Sequence, residues 1–318
     1  MRLVAAEVGD MRELANTAFL FPGQASQYVG MGQDLAENSP IAKDLWLKAN
    51  DIMGTDLMKI AFEGPAEELK QTKYTQPAIF VHSVIVNALM EARPAAAAGH
   101  SLGEYSALVA AGALSFEDGL KLVKIRGELM QESGSRSPGT MAAVIGAEEE
   151  TVNEVCAEIS KDDVVKAANF NSPGQIVISG SISGIDAAMA ALKDRGVRIV
   201  KKLPVSGAFH SPLMQYAQDE IGEALENTPV ADAEFPVYTN VSAEPVSDAA
   251  TVKKMLFEQI TSPVLWEASM RNMIANGITE MYEVGPGNVL QGLLKRIDAQ
   301  VPCSCIGKYE EIENFKNA

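Results

Sequence analysis

Gly99-His100-Ser101-Leu102-Gly103 sets a serine in a G-x-S-x-G motif, after a small apolar run from Ala95 to Ala98 and before a helix-compatible stretch from Glu104 to Ala113. Those residue types at that spacing describe a nucleophile elbow. A sharp strand-to-helix turn exposes the serine hydroxyl, and the flanking glycines let strand and helix pass close together. The turn also aims the backbone N–H of Leu102 at the place where an oxyanion forms, at the start of a helix whose dipole favours negative charge. Glycine and serine are common in any turn, so the weight of the motif rests on its strand-then-helix context.

A serine hydroxyl is a poor nucleophile near neutral pH and needs a general base within hydrogen-bond reach. Three histidines are available. His82 lies in an apolar helical stretch, Ile79 to Met90, where a core histidine is expected, and His100 on a tight turn is expected to point away from Ser101. His210 is the expected base: it sits in the loop Gly207-Ala208-Phe209-His210-Ser211-Pro212, and catalytic residues gather on loops held by a rigid scaffold. Arg126 stands out by helical phase. Glu117, Lys121, Lys124, Glu128 and Glu132 make one polar face, while Leu122, Val123, Leu129 and Met130 share the side of Arg126. An inward guanidinium must meet a carboxylate, carbonyls or an anionic ligand. Pro22-Gly23-Gln24 directly follows the first strand, at the edge where open α/β sheets build their sites, and its backbone offers a second oxyanion donor. Glu283-Val284-Gly285-Pro286-Gly287 reads as a structural strand-turn-helix.

These residues need a scaffold, and the pattern supplies an α/β one. A strand from Thr17 to Phe21 precedes helical segments at Ile41 to Met53, Glu67 to Thr72 and Ala78 to Glu91, then the elbow strand, then a helix from an N-cap at Ser115 to about Gln131. Strands alternating with helices imply a mostly parallel sheet. Residues 136–206 change rhythm: Thr140 to Ile145, Val164 to Phe170, Gln175 to Ser179 and Val197 to Val205 read as strands, with helices at Glu148 to Ser160 and Ser183 to Arg195. That β-α-β-β-α-β order, with a turn at Asn171-Ser172-Pro173-Gly174, predicts a ferredoxin-like subdomain inserted into a hydrolase-like core of residues 17–135 and 207–318. In the returning core helix and strand alternate again over Leu213 to Glu226, Phe235 to Val241, Ala250 to Ile260, Val264 to Ala275, Thr279 to Val284, Val289 to Arg296 and Pro302 to Ile306. Residues 1–16 read as an N-terminal extension, and Gly307 to Ala318 as a frayed polar end.

A chain of 318 residues with 47% hydrophobic residues and a formal charge of −16 is an ordinary globular protein whose field disfavours nucleic acid and anionic membranes as partners. The start of the chain lacks the apolar run of a signal peptide, no stretch is long enough to span a bilayer, and three cysteines without metal-ligand spacing suit a reducing compartment; a cytoplasmic protein is expected. Lys193, Arg195, Arg198, Lys201 and Lys202 crowd one segment, either as a solvated helix end and strand or as a basic patch for an acidic partner.

Five motifs in order resemble the malonyl-CoA:acyl-carrier-protein transacylases of fatty acid synthesis. They are Phe21-Pro22-Gly23-Gln24-Ala25-Ser26-Gln27, Gly99 through Leu108, Asn171-Ser172-Pro173-Gly174-Gln175, Ala208 through Met214, and Val284-Gly285-Pro286-Gly287. The resemblance implies Ser101 as nucleophile and His210 as base, the histidine oriented by backbone carbonyls instead of an aspartate. It implies oxyanion-hole N–H groups from Gln24 and Leu102, Arg126 gripping the malonyl carboxylate, and Gln259 hydrogen-bonding within the active site. Ala25 departs from a commoner glycine, and Phe209 before His210 resembles the form associated with malonyl over methylmalonyl units. The implied reaction is ping-pong transfer from malonyl-CoA to the phosphopantetheine thiol of acyl carrier protein, with no metal and no cofactor beyond these thioester carriers, by a protein expected to be a monomer. An acidic carrier would dock on the Lys193 to Lys202 segment or on Lys295 and Arg296. A polyketide-pathway acyltransferase looks alike. A serine esterase would need a triad acid between Ser101 and His210, with Asp186 and Asp194 as candidates; a non-catalytic scaffold would leave Ser101, His210 and Arg126 without a task.

Overall fold

The computed structural model describes residues 11–205 and 207–318. Its strands are, in chain order, β1 (Arg12–Phe21), β2 (Ala92–Gly99), β3 (Thr140–Ile145), β4 (Val165–Ser172), β5 (Gln175–Gly180), β6 (Ile199–Lys202), β7 (Val237–Tyr238), β8 (Pro245–Val246), β9 (Glu280–Val284) and β10 (Cys303–Ile306). Two sheets result. One has the order β10-β9-β1-β2-β7-β8, parallel throughout except for β8; the other, β4-β5-β3-β6, is antiparallel and has the ferredoxin-like strand order. This is the expected α/β class.

Successive side chains of a strand point to opposite faces, and β1 shows how the large sheet is buried on both. Phe19 and Phe21 join the core under the helices Thr72–Met90 and Phe116–Arg136, while Ala18 and Leu20 join Trp266, Met270, Leu290 and Leu294 on the other side. A parallel sheet covered on both faces needs apolar strands without alternation. The alanines of β2 meet that need with little bulk.

Several boundaries differ from expectation for local reasons. The first strand starts at Arg12, so residues 12–14 of the expected extension pair with β2, ahead of a register shift between Leu14 and Ala18; residues 1–10 lie outside the described residues. Pro77 does not separate two helices but sits inside Thr72–Met90, where it forfeits one early hydrogen bond in a segment whose following residues are fully buried. β6 is shorter than Val197 to Val205 because the Val197 N–H closes the preceding helix onto the Leu192 carbonyl and Pro204 has no N–H to offer. The C-terminal segment is not frayed: Tyr309–Asn317 is helical, Ile312 and Phe315 are buried, and the Glu311 carboxylate accepts the N–H groups of Gly307 and Lys308.

The turn after β2 is the tightest crossing in the large sheet. A Cβ on Gly99 would lie 1.9 Å from the Gly103 carbonyl carbon, and one on Gly103 would lie 2.0 Å from the Phe21 carbonyl oxygen. Gly103→Ala is therefore expected to lower stability by about 3 kcal/mol or more. Thermal unfolding checks this, and a melting temperature equal to that of the parent protein would contradict the crossing described.

Candidate active site

Ser101 occupies the turn between β2 and the helix Gly103–Ala110, with φ of 51°. A serine in this left-handed region costs roughly 1–2 kcal/mol, so neighbours must hold it. The Ser101 N–H donates to Asn240 Oδ1 at 2.7 Å, Asn240 Nδ2 donates to the Gly99 carbonyl at 2.7 Å, and Gln259 Nε2 donates to the Ser101 carbonyl at 3.0 Å. The hydroxyl is left facing inward. There Ser101 Oγ lies 2.9 Å from His210 Nε2 and accepts from Arg126 Nη2 at 2.9 Å.

His210, expected as the base, reaches the serine from the loop that follows the antiparallel sheet. Its Nδ1 faces two backbone carbonyls, Gln259 at 2.9 Å and Ser262 at 3.2 Å. Only a protonated Nδ1 satisfies both carbonyls, which leaves Nε2 as the acceptor for the serine proton. Asp186 pairs instead with Lys202 on the small sheet, and neither Asp186 nor Asp194 is a partner of His210, so the esterase-type acid is not in place. Burial, and then the nearby Arg126 guanidinium, push the ring down to about 3 against the pull of the two carbonyls, so it is neutral near pH 7.

Arg126 is only 1% exposed. Its guanidinium donates to neutral oxygens: Nη1 to Gln76 Oε1 at 2.6 Å, Nη2 to Gln259 Oε1 at 3.2 Å and to Ser101 Oγ, with the Tyr105 ring beneath at 5.8 Å. Nε lacks a partner. Of the alternatives open from sequence, the internal ion pair is absent from these contacts; a buried cation held by amides beside a nucleophile suits an anionic ligand.

The remaining expected residues converge on the same spot. The loop carrying Gln24 packs on the elbow so closely that a Cβ on Gly23 would lie 2.5 Å from the His100 carbonyl oxygen, and the Gln24 amide donates to Thr72 Oγ1 at 3.2 Å. Leu102 is the N-cap of the elbow helix, and among the described residues its N–H and that of Gln24 meet no acceptor. His100 turns away, its Nε2 2.8 Å from Asn171 Oδ1 on β4, and His82 is a core histidine bonded to the Gly307 carbonyl at 2.8 Å. Glu283 is structural: its carboxylate accepts the N–H groups of Leu290 and Gln291 at the start of a helix. In the basic segment Arg195 is paired with Glu154 and Glu158.

Asn240, Gln76 and Glu104 were not picked out by sequence. Asn240 follows the short strand β7, and a polar Thr239-Asn240 pair directly after an apolar strand of an α/β core was the available signal. Gln76 lies on an otherwise buried helix, where a polar residue was the corresponding signal. Among the described residues no group of three or more His, Cys, Asp or Glu could hold a metal ion, and no helix is long and apolar enough to cross a membrane.

A sequence model of the acyl transferase domain matches residues 18–311, and the chain belongs to this family. It is 43% identical over 304 residues to the malonyl CoA-acyl carrier protein transacylase of Bacillus subtilis, covering 94% of this chain and 96% of that protein. The solved malonyl-CoA:acyl carrier protein transacylase of Xanthomonas oryzae superposes with a TM-score of 0.91 at 43% identity, covering 95% of this chain and 98% of that one. A malonyl-transacylase solved in complex with a type II PKS acyl-carrier protein gives the same TM-score of 0.91 at 36% identity, covering 95% and 99%.

A base with an ordinary histidine pKa would lose its function through pH 6.5 on acidification, whereas a ring held down to about 3 keeps accepting protons well below that. The rate of Ser101 acylation in the free enzyme is expected to stay level from pH 8 to about pH 5. A single-turnover pH profile that falls with a midpoint near 6.5 would contradict this.

Proposed function

We propose that this protein transfers the malonyl group of malonyl-CoA to the phosphopantetheine thiol of acyl carrier protein, supplying fatty acid synthesis. The observation that carries the reading is the buried Arg126 guanidinium in contact with the nucleophile, Nη2 to Ser101 Oγ at 2.9 Å, with no carboxylate among its hydrogen-bond partners. Family membership and the relatives named above support the same acyl donor and acceptor.

Ser101 Oγ attacks the thioester carbonyl carbon of malonyl-CoA while its proton passes to His210 Nε2; the tetrahedral oxyanion is held by the N–H groups of Leu102 and Gln24. The carbon–sulfur bond then breaks, the proton passes from Nε2 to the departing sulfur, and a malonyl ester of Ser101 remains. In the second half the carrier thiol gives its proton to Nε2 and attacks that ester, and Ser101 Oγ leaves with the proton. Throughout, Arg126 binds the free malonyl carboxylate, a charge-assisted contact worth about 1.5–3 kcal/mol. Gln259 serves both partners, orienting His210 through its carbonyl and Arg126 through its side chain. The steps need no metal and no cofactor.

The protein acts as a monomer in this reading, in the cytoplasm, whose reducing conditions suit its odd cysteine count. The carrier docks on exposed cations: Lys193 in the last turn of the helix Ile182–Asp194, Arg198 and Lys201 at the edge strand β6, with Lys295 and Arg296 at the end of the helix Val289–Ile297. Arg296 donates to Gln175 of β5, which places it on the small sheet two strands from β6. Charge reversal at Lys201 and Lys295 is expected to raise the KM for carrier protein and leave malonyl-CoA kinetics intact. Unchanged carrier kinetics would remove this surface from the account.

Intact-mass analysis after incubation with malonyl-CoA is expected to show one malonyl adduct, absent in Ser101→Ala and discharged by holo carrier protein. A wild-type protein that never takes up malonyl would overturn the transferase reading. Arg126→Ala is expected to lose malonyl transfer by about 10- to 100-fold while handling acetyl-CoA comparatively better. Equal loss for both acyl groups would make Arg126 structural.

A further inference from the structure

The reaction above uses Ser101, His210, Arg126, Gln259 and two backbone N–H groups, and leaves buried polar groups behind the elbow without a role. Asn240 is 1% exposed, and all its polar groups are engaged. Its Oδ1 accepts the Ser101 N–H, its Nδ2 donates to the Gly99 carbonyl, its own N–H donates to Glu104 Oε2 at 2.7 Å, and its carbonyl accepts the Leu265 N–H at 2.9 Å.

The placement follows from register. β2 and β7 run parallel with Ala97 opposite Val237 and Ala98 opposite Tyr238. One step further, β2 turns away into the elbow, and backbone-to-backbone pairing stops. The Asn240 carboxamide takes over there, its oxygen and nitrogen bridging the N–H of Ser101 and the carbonyl of Gly99 on either side of His100. A fork that spans both ends of a three-residue turn fixes the turn's dihedrals and with them the direction of the Ser101 side chain. It also occupies the nucleophile's own N–H, so that the Leu102 N–H is the elbow donor left for an oxyanion.

Glu104 backs this fork from the first turn of the elbow helix. It is fully buried, one oxygen holds the Asn240 N–H, and the other has no partner. Burial raises its carboxyl to about 7, so it holds Asn240 as an acceptor whether or not it carries a proton. The Asn240 N–H, the Gln259 side chain and the Arg126 charge pull against that rise, and a buried carboxyl behind the nucleophile is costly unless its bond to Asn240 has a task.

We propose that Asn240 and Glu104 are positioning residues for Ser101: Asn240 clamps the left-handed elbow through Gly99 and Ser101, and Glu104 fixes Asn240. The proposal rests on Ser101 being the acylated nucleophile. Neither residue touches the acyl group. Their effect falls on the rate of both half-reactions, because both pass through an oxyanion aimed from the same turn, and not on the grip of Arg126 on the substrate carboxylate.

The test compares wild type with Asn240→Ala, Asn240→Asp, Glu104→Ala and Glu104→Gln in three measurements: single-turnover acylation by malonyl-CoA, discharge to holo carrier protein, and labelling of Ser101 by a small sulfonyl fluoride read by intact mass. Asn240→Ala is expected to slow acylation, discharge and labelling alike, on the order of 100-fold, with KM for malonyl-CoA within about threefold. Glu104→Gln, which keeps the accepting oxygen, is expected to retain more activity than Glu104→Ala. Rates within threefold of wild type in folded Asn240→Ala, a loss confined to KM, or equal losses in the two Glu104 variants would overturn the proposal. Where the alanine variant does not fold, the isosteric Asn240→Asp carries the same comparison, since its carboxylate can accept from Ser101 but cannot donate to Gly99. Sulfonyl fluoride labelling separates this proposal from the transfer reading: wild-type protein that labels at Ser101 yet never takes up malonyl sinks the transfer reading alone.

Discussion

A single backbone conformation governs this site. Ser101 must sit in the left-handed region, at the point where β2 stops and a helix starts, for its hydroxyl to leave the sheet plane and its following N–H to face the same side. Everything around it answers that demand. Gly99 and Gly103 are glycines because a Cβ there would run into backbone, β2 is alanine-rich because bulk there would lift the helices, and two carboxamides hold the N–H and C=O of the serine.

The second constraint is electrostatic. A buried arginine and a buried histidine contact the same hydroxyl; burial first, and the guanidinium second, keep the imidazole neutral, which is the state a base needs. Aligning that imidazole falls to two carbonyls, Gln259 and Ser262. A carboxylate in their place would neutralise Arg126 in part and weaken its hold on an anionic acyl group. The absence of an aspartate from the His210 partners is thus consistent with a site that must keep its cation available.

How much of this was legible in the sequence follows the range of each interaction. The elbow is local, written in five consecutive residues, and Arg126 is legible because a helix repeats its face every turn. His210 was reachable by elimination among three histidines. Gln259 came only through family resemblance, and Asn240 and Gln76 escaped, since their contacts to Ser101 and Arg126 lie 139 and 50 residues away in sequence. Secondary structure erred in the same way. The C-terminal helix has a polar sequence and exists because Ile312 and Phe315 meet a core assembled elsewhere, and β7 stops at Tyr238 because Asn240 spends its N–H on Glu104.

The chain order of the site has a consequence for synthesis. The elbow residues and Arg126 are all present by residue 126, but the base arrives at residue 210, the carboxamide that clamps the elbow at residue 240, and the carbonyls that orient the base at residues 259 and 262, beyond the whole antiparallel sheet. A ribosome-bound chain that has emerged only through β6 therefore carries a serine with no proton acceptor. Such an unfinished chain lacks the base that Ser101 needs to attack a thioester, and the site is complete only once residues 210, 240, 259 and 262 are in place.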